Sequence, residues 1–261
     1  MTPEKTDEAA AILLSNWKAV TRIDALPEAC RPADRAEGYA VAAALARQSG
    51  DAVAGWKIAA TSAAGQQHIN VEGPLGGRIL ASRVVAPGAT IPLAGNLMQV
   101  AEAEFAFVLG TDMPERGSPY EREEVMAAVT ALHLTIEIPD SRYADFTKVG
   151  APSLIADTAC ASWLAVGPAV DMDWRGIDFA AHQVTAFKNG AQAAVGSGKA
   201  VLGDPRIALT WLVNEVARYG GGLKAGQFVT TGTCVVPVKI ASGDAISVDY
   251  GVLGTIAVAI G

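Results

Sequence analysis

The chain has 261 residues, 51% hydrophobic and 18% charged, enough apolar material for a sizeable core and a pattern unlike that of disordered chains. Its 20 basic and 27 acidic residues leave a net charge of −7, which argues against a nucleic-acid partner. The longest apolar runs, such as Thr255 to Ile260, fall far short of the roughly 20 residues that cross a bilayer, and the polar start Met1–Glu8 does not read as a signal peptide. Cys30, Cys160 and Cys234 lie far apart, in no zinc or redox spacing, so a soluble cytoplasmic protein with reduced thiols is expected.

Along the chain, residues 1–50 read as a helical N-terminal segment. Ala9, Ile12, Leu13, Trp17 and Val20 fall near helical spacing behind Thr6 and Asp7 as caps, and a second alanine-rich helix runs to about Arg47. That helix opens near Pro32 and stops at Gly50. From residue 51 to 261 short β-type segments dominate, divided by Gly and Pro, and form one β-rich catalytic domain. The expected strands are Val53–Ile58, Gln99–Leu109, Ala131–Ile138, Ser162–Val166, Gln183–Phe187, Gln227–Thr231, Cys234–Val238, Ile246–Tyr250 and Leu253–Ile260. Helices interrupt them at Tyr120–Val129 and Pro205–Tyr219, the second capped by Asp204, and Lys188-Asn189-Gly190 signals a tight hairpin turn.

Within Val100–Val108, a strand would turn Glu102 and Glu104 to one face, about 7 Å apart. Two like charges on one face of an otherwise apolar strand repel and are costly to desolvate, and a divalent cation removes both penalties. Glu137 sits in similar apolar surroundings at Thr135–Ile138. Three carboxylates with no His or Cys beside them suit a hard ion, Mg²⁺ or Mn²⁺, better than zinc. The other reading of Glu-x-Glu is a solvated face of an edge strand.

The segments Gly55-Trp56-Lys57-Ile58 with Thr61-Ser62, Glu102–Phe107, Ile136–Arg142, Ala156–Ala159, Leu223–Gln227 and Thr231–Thr233 occur in the order of a known pattern. Together they resemble the 2-keto-4-pentenoate hydratase and 4-oxalocrotonate decarboxylase family of the fumarylacetoacetate hydrolase superfamily, over about residues 50–260. The resemblance implies an α+β fold, a mixed β-sandwich roll of the fumarylacetoacetate hydrolase C-terminal type. It also implies a Mg²⁺ or Mn²⁺ held by Glu102, Glu104 and Glu137, an active-site lysine at Lys57, and a small 2-keto or 2-hydroxydienoate substrate.

Such an ion can chelate the 2-oxygen and the C1 carboxylate, and this electron sink serves either hydration of a short 2-hydroxy-2,4-dienoate or decarboxylation of a 4-oxalocrotonate-type acid. Lys57 is the candidate proton carrier or polar anchor, with a pKa open to lowering near the metal. Asp157 would position Lys57 or water, or only cap a turn. Arg142 would pair with a substrate carboxylate, or hold its own loop through Asp140, and Thr233 would hydrogen-bond the substrate, or only shape a β-turn. His68, His133 and His182 read as packing or surface residues, with His68 the nearest to the lysine motif. Gly196-Ser197-Gly198-Lys199 lacks the features of a phosphate loop. Leu75 stands where many hydratases of the family carry an acid, which weighs toward decarboxylation.

Hydration in aromatic catabolism leads. Its rivals are decarboxylation, C–C hydrolysis of the fumarylacetoacetate hydrolase type, which would want a histidine base, and a non-catalytic partner subunit that binds metal without turnover. Homo-oligomerisation is expected, alone or with a related hydratase or decarboxylase, and neither nucleic acid nor a membrane is an expected partner.

Overall fold

The computed structural model describes residues 1–261. Its helices are α1 (Pro3–Ala19), α2 (Arg35–Ser49), α3 (Ala63–His68), α4 (Arg122–Ala128), α5 (Gly150–Ala156) and α6 (Pro205–Tyr219). Thr2 caps α1 with Pro3 at the first position, so Thr6 and Asp7 lie inside the helix instead of before it. Asp34 caps α2 by accepting from Glu37 N, which leaves Pro32 outside, and Gly50 closes the helix at φ 71°. Helices α1 and α2 share a small apolar cluster, including Leu13, Leu45, Tyr143 and Ala156, apart from the main core.

The strands are β1 (Val53–Ala59), β2 (Leu75–Leu80), β3 (Val84–Val85), β4 (Thr90–Ile91), β5 (Val100–Leu109), β6 (Val129–Ile138) and β7 (Trp163–Ala169). They continue with β8 (Gln183–Lys188), β9 (Ala191–Ser197), β10 (Phe228–Thr230), β11 (Val238–Lys239), β12 (Ala245–Asp249) and β13 (Thr255–Ile260). An eight-stranded mixed sheet has the order β2-β1-β10-β5-β6-β7-β3, with β11 paired to β5; a five-stranded sheet has the order β4-β13-β12-β8-β9. One apolar core takes side chains from both: Phe105 and Ile136 from the first, Val248, Ile256 and Val258 from the second. The two sheets with α6 and the short helices give the expected mixed α+β architecture. No helix is long and apolar enough to cross a membrane.

The long strands were predictable because apolar alternation persists over them. Asn189 and Gly190, both left-handed at φ 53° and 79°, close the β8–β9 hairpin. Two strands escape such reasoning. The Gly76-Gly77 pair disguises β2 as a loop, and β9 is an alanine-rich edge strand with little apolar contrast. Conversely, Cys234–Val238 is not a strand: only Val238 and Lys239 pair with β5. The chain leaves the ladder after Thr230 and turns at Gly232, φ 102°. The final strand begins at Thr255, after a tight turn at Gly251–Leu253.

Candidate metal and substrate site

Strands β5 and β6 are antiparallel, and their register sets Glu102 directly opposite Glu137. Glu104, two residues along β5, therefore shares that face, and carboxylate oxygens of all three acids lie within 4.8 Å of one another. Glu104 and Glu137 are buried, while Glu102 is half-buried at the opening. The edge-strand reading is thus excluded, since β5 lies between β10 and β6 in the centre of the sheet.

One Glu104 oxygen is fixed, accepting from Thr230 Oγ1 at 2.5 Å and from the Gly232 amide at 2.8 Å. Its other oxygen and Glu137 Oε2 are buried without any hydrogen-bond donor, and Glu137 Oε1 has only the Lys57 ammonium near it. Buried acceptors left bare in this way are destabilising. Here they converge, and hard oxygen donors at this spacing fit a Mg²⁺-type cation. Charge agrees: three carboxylates against one buried ammonium, that of Lys57, leave an excess of two negative charges. Burial, and next the neighbouring Glu102 charge, push Glu104 up to about 7, despite Lys57 and the donors at Thr230 and Gly232. Burial likewise raises Glu102, opposed by Lys57, and raises Glu137 well above the carboxylate range.

Lys57 lies on β1, one strand beyond β10, with its Nζ 3.3 Å from Glu137 Oε1 and donating to Ala159 O at 3.1 Å. Burial would lower its pKa, but the charges of Glu137, Glu102 and Glu104 together outweigh that and raise it.

Arg142 and Asp157 are both fully buried, and neither lines the cavity. They are bound to each other. Arg142 Nε donates to Asp157 Oδ1, while the Arg142 amide and Ser141 Oγ donate to Oδ2 at 2.9 and 2.8 Å. Arg142 Nη1 reaches Ala161 O at 3.0 Å, and Nη2 reaches Asp157 O and Thr158 Oγ1. Arg142 and Asp157 therefore stand back from the cavity, with their polar atoms taken up by each other and by the neighbouring backbone. Asp140, the other partner foreseen for Arg142, is bound by Arg22 instead.

Between the atoms that Arg142 grips, the backbone runs left-handed at Thr158, Ala159 and Cys160, with φ of 52°, 49° and 62°. Non-glycine residues in that region cost about 1 kcal/mol or more each. Nothing in Thr-Ala-Cys announces such a turn. The accommodating signal lies elsewhere, at Gly77, which pairs with Lys57 in the β1–β2 register. A Cβ on Gly77 would lie 1.9 Å from Thr158 O, so glycine is required there.

Glu102 and Lys57 open into a cavity of about 640 Å³, with Glu104 and Glu137 buried behind them. Lys57, Glu102, Thr61, Cys160 and Thr233 line it, with apolar wall from Ile58, Met98 and Val235. The Thr233 hydroxyl donates to Val235 O at 2.9 Å, within its own loop. Leu75 is buried in the main core and does not line the cavity. His68 does line the cavity, its ring edge-on to Phe146, whereas His133 and His182 bond to the carbonyls of Gly167 and Tyr250. The sequence reading missed Thr230 and Gly232, which orient Glu104, and Ser197 and Lys199, which reach the cavity from the end of β9. Neighbouring Thr-Thr-Gly-Thr was the one available signal for the first pair.

No protein-family model matches the chain. The chain is 34% identical to a 2-hydroxyhexa-2,4-dienoate hydratase of Comamonas testosteroni, over 81% of this chain and 79% of that protein. It is 32% identical to a 4-oxalocrotonate decarboxylase of Pseudomonas putida, over 80% and 78% of the two chains. Among solved structures, 4-oxalocrotonate decarboxylase from Pseudomonas putida G7, complexed with magnesium and adipate, superposes with a TM-score of 0.89 at 27% identity. That superposition covers 100% of this chain and 98% of the other.

Proposed function

Because the chain belongs to the 2-keto-4-pentenoate hydratase and 4-oxalocrotonate decarboxylase family, we propose that it adds water to a short 2-hydroxy-2,4-dienoate, giving a 4-hydroxy-2-keto acid. The observation that supports this reading is the convergence of Glu102, Glu104 and Glu137 beside the Lys57 ammonium at a cavity, with buried carboxylate oxygens on Glu104 and Glu137 that no hydrogen bond satisfies. Glu102, Glu104 and Glu137 would hold Mg²⁺ or Mn²⁺. When bound, the ion supplies Lewis-acid polarisation of the substrate 2-oxygen and a template for the C1 carboxylate.

The protein's own groups do the rest. Thr230 Oγ1 and the Gly232 amide hold Glu104 so that its free oxygen points at the other acids. Lys57 Nζ, facing the cavity, is the proton source for C5 of the dienoate, and the 2-hydroxyl proton lost as the 2-keto group forms restores the ammonium; water then adds its hydroxyl at C4 and its remaining proton at C3. Ile58, Met98 and Val235 shield the diene from bulk water. A homo-oligomer in the cytoplasm is the proposed setting, in keeping with the general preference of soluble enzymes.

A second reading, decarboxylation of a dicarboxylic 2-keto acid, is favoured by Lys199, which lines the cavity and is engaged in no ion pair. A substrate with a second carboxylate would find a cation there. Purified protein with Mg²⁺ and 2-hydroxypenta-2,4-dienoate should consume the diene absorbance without releasing CO₂. Release of CO₂ from 4-oxalocrotonate, with the dienoate untouched, would put decarboxylation first.

A further inference from the structure

We infer that Arg142 and Asp157 are positioning residues for Lys57, acting through the left-handed turn Thr158–Cys160; this rests on the reading of Lys57 as the proton source. Three observations converge. The guanidinium of Arg142 binds both ends of the turn at once, at Asp157, Thr158 and Ala161. Three successive non-glycine residues keep positive φ, an arrangement that persists only where surroundings over-determine it. The middle one, Ala159, presents its carbonyl to Lys57 Nζ at 3.1 Å.

The strand register seals the arrangement from the other side. Gly77 stands opposite Lys57, and the missing Cβ leaves room for Thr158 O against the sheet. Ala159 O therefore engages one N–H of the ammonium and Glu137 lies near another, at 3.3 Å, which leaves the third for the cavity. Without the turn, the long lysine stem would have Glu137 as its sole anchor and a wider choice of rotamers. A buried salt bridge at the edge of the site thus fixes where a proton is delivered, although neither partner touches the cavity.

Two variants test this in the Mg²⁺-loaded protein with the dienoate. Arg142→Lys retains the charge and loses the fork that spans the turn. Ala159→Gly removes the Cβ that disfavours positive φ, so it relieves strain but lets the carbonyl at 159 wander. Each should lower kcat about tenfold while KM and the Mg²⁺ activation constant stay within about twofold, because ground-state binding is untouched. Ala159→Gly should do so with a Tm no lower than that of the parent. An unchanged kcat in either folded variant overturns the inference. If Arg142→Lys does not fold, Ala159→Gly decides alone. Lys57→Met separates the two levels: full activity there removes the reading of Lys57 itself, whereas its loss beside normal Arg142→Lys turnover removes only the positioning role.

Discussion

Two clusters of buried charge lie close together in this molecule, and they are built on opposite terms. Around Arg142 and Asp157 both carboxylate oxygens accept and each guanidinium nitrogen has an acceptor. Around Glu102, Glu104 and Glu137, acidic charge exceeds basic charge, two oxygens have no donor and a third has only the Lys57 ammonium at 3.3 Å. A fold can hold the first as part of its own stability. The second is costly as it stands, and a bound cation would remove that cost. Whether buried acids are satisfied, rather than whether they are buried, separates the structural cluster from the functional one.

The sharpest way to break that comparison is to remove one charge from each cluster and measure both activity and stability. Glu104→Gln retains acceptors for Thr230 and Gly232 and deletes a ligand charge; activity should fall by about 10³-fold or more. The chelator-treated variant should nevertheless melt no lower than the chelator-treated parent, because a repulsive buried charge has gone. Arg142→Met should do the reverse to stability and lower it by about 3–5 kcal/mol, leaving Asp157 buried and unpaired. The double variant Arg142→Met, Asp157→Leu should recover part of that loss. Denaturant melts of the set decide the matter: equal destabilisation by Glu104→Gln and Arg142→Met would erase the distinction.

How much of this was legible beforehand differs between the clusters for a physical reason. The acid trio was legible in part: the period-2 pattern puts Glu102 and Glu104 on one face, which a solvated strand face would fit as well, and the ordered family segments singled them out together with Glu137. The long strands that carry them were legible from the same pattern. The Arg142–Asp157 pair looks equally chemical in sequence, yet side-chain type says nothing of whether a partner exhausts its hydrogen bonds. The left-handed turn is illegible because it is imposed by tertiary contacts on Thr158, Ala159 and Cys160, none of which favours it. Strand β2 was hidden for a related reason: Gly77 is dictated by the approach of Thr158 O and contradicts strand propensity. In the misread Cys234–Val238 segment, Cys234 to Pro237 wall a cavity and only Val238 pairs in a ladder.

A smaller effect follows from protons. Glu104 in the folded protein titrates near 7, above the ordinary glutamate value, chiefly through burial and then through Glu102. Between those values the folded, metal-stripped protein binds more protons than the unfolded chain, so stability falls as pH rises. The contribution is fully present below about pH 4.5 and lost as pH passes about 7. Chelator-treated protein should therefore melt higher at pH 5.5 than at pH 8, by a few degrees. Added Mg²⁺ should restore the melting temperature at pH 8 and do less at pH 5.5, since protons compete for the same oxygens. A chelated protein whose Tm climbs with pH over this range would contradict the unsatisfied state of the trio.

The least effect is expected at the border between the clusters' two kinds of behaviour, at Thr233. It lines the cavity as a functional residue would, but its hydroxyl is satisfied within its loop, donating to Val235 O and accepting from Val235 N at 3.4 Å. By the criterion of satisfaction it belongs with Arg142 and not with Glu104. Thr233→Val removes the hydroxyl and nearly preserves volume, so it should lower stability by about 1 kcal/mol and leave KM within about twofold. A substrate ligand would behave differently: deleting a hydroxyl that donates to a substrate carboxylate should raise KM about tenfold or more, with stability unchanged. Steady-state kinetics beside a melting curve on this one variant therefore separate the two roles. They also show whether an internal hydrogen bond is enough to withdraw a cavity-facing side chain from the chemistry.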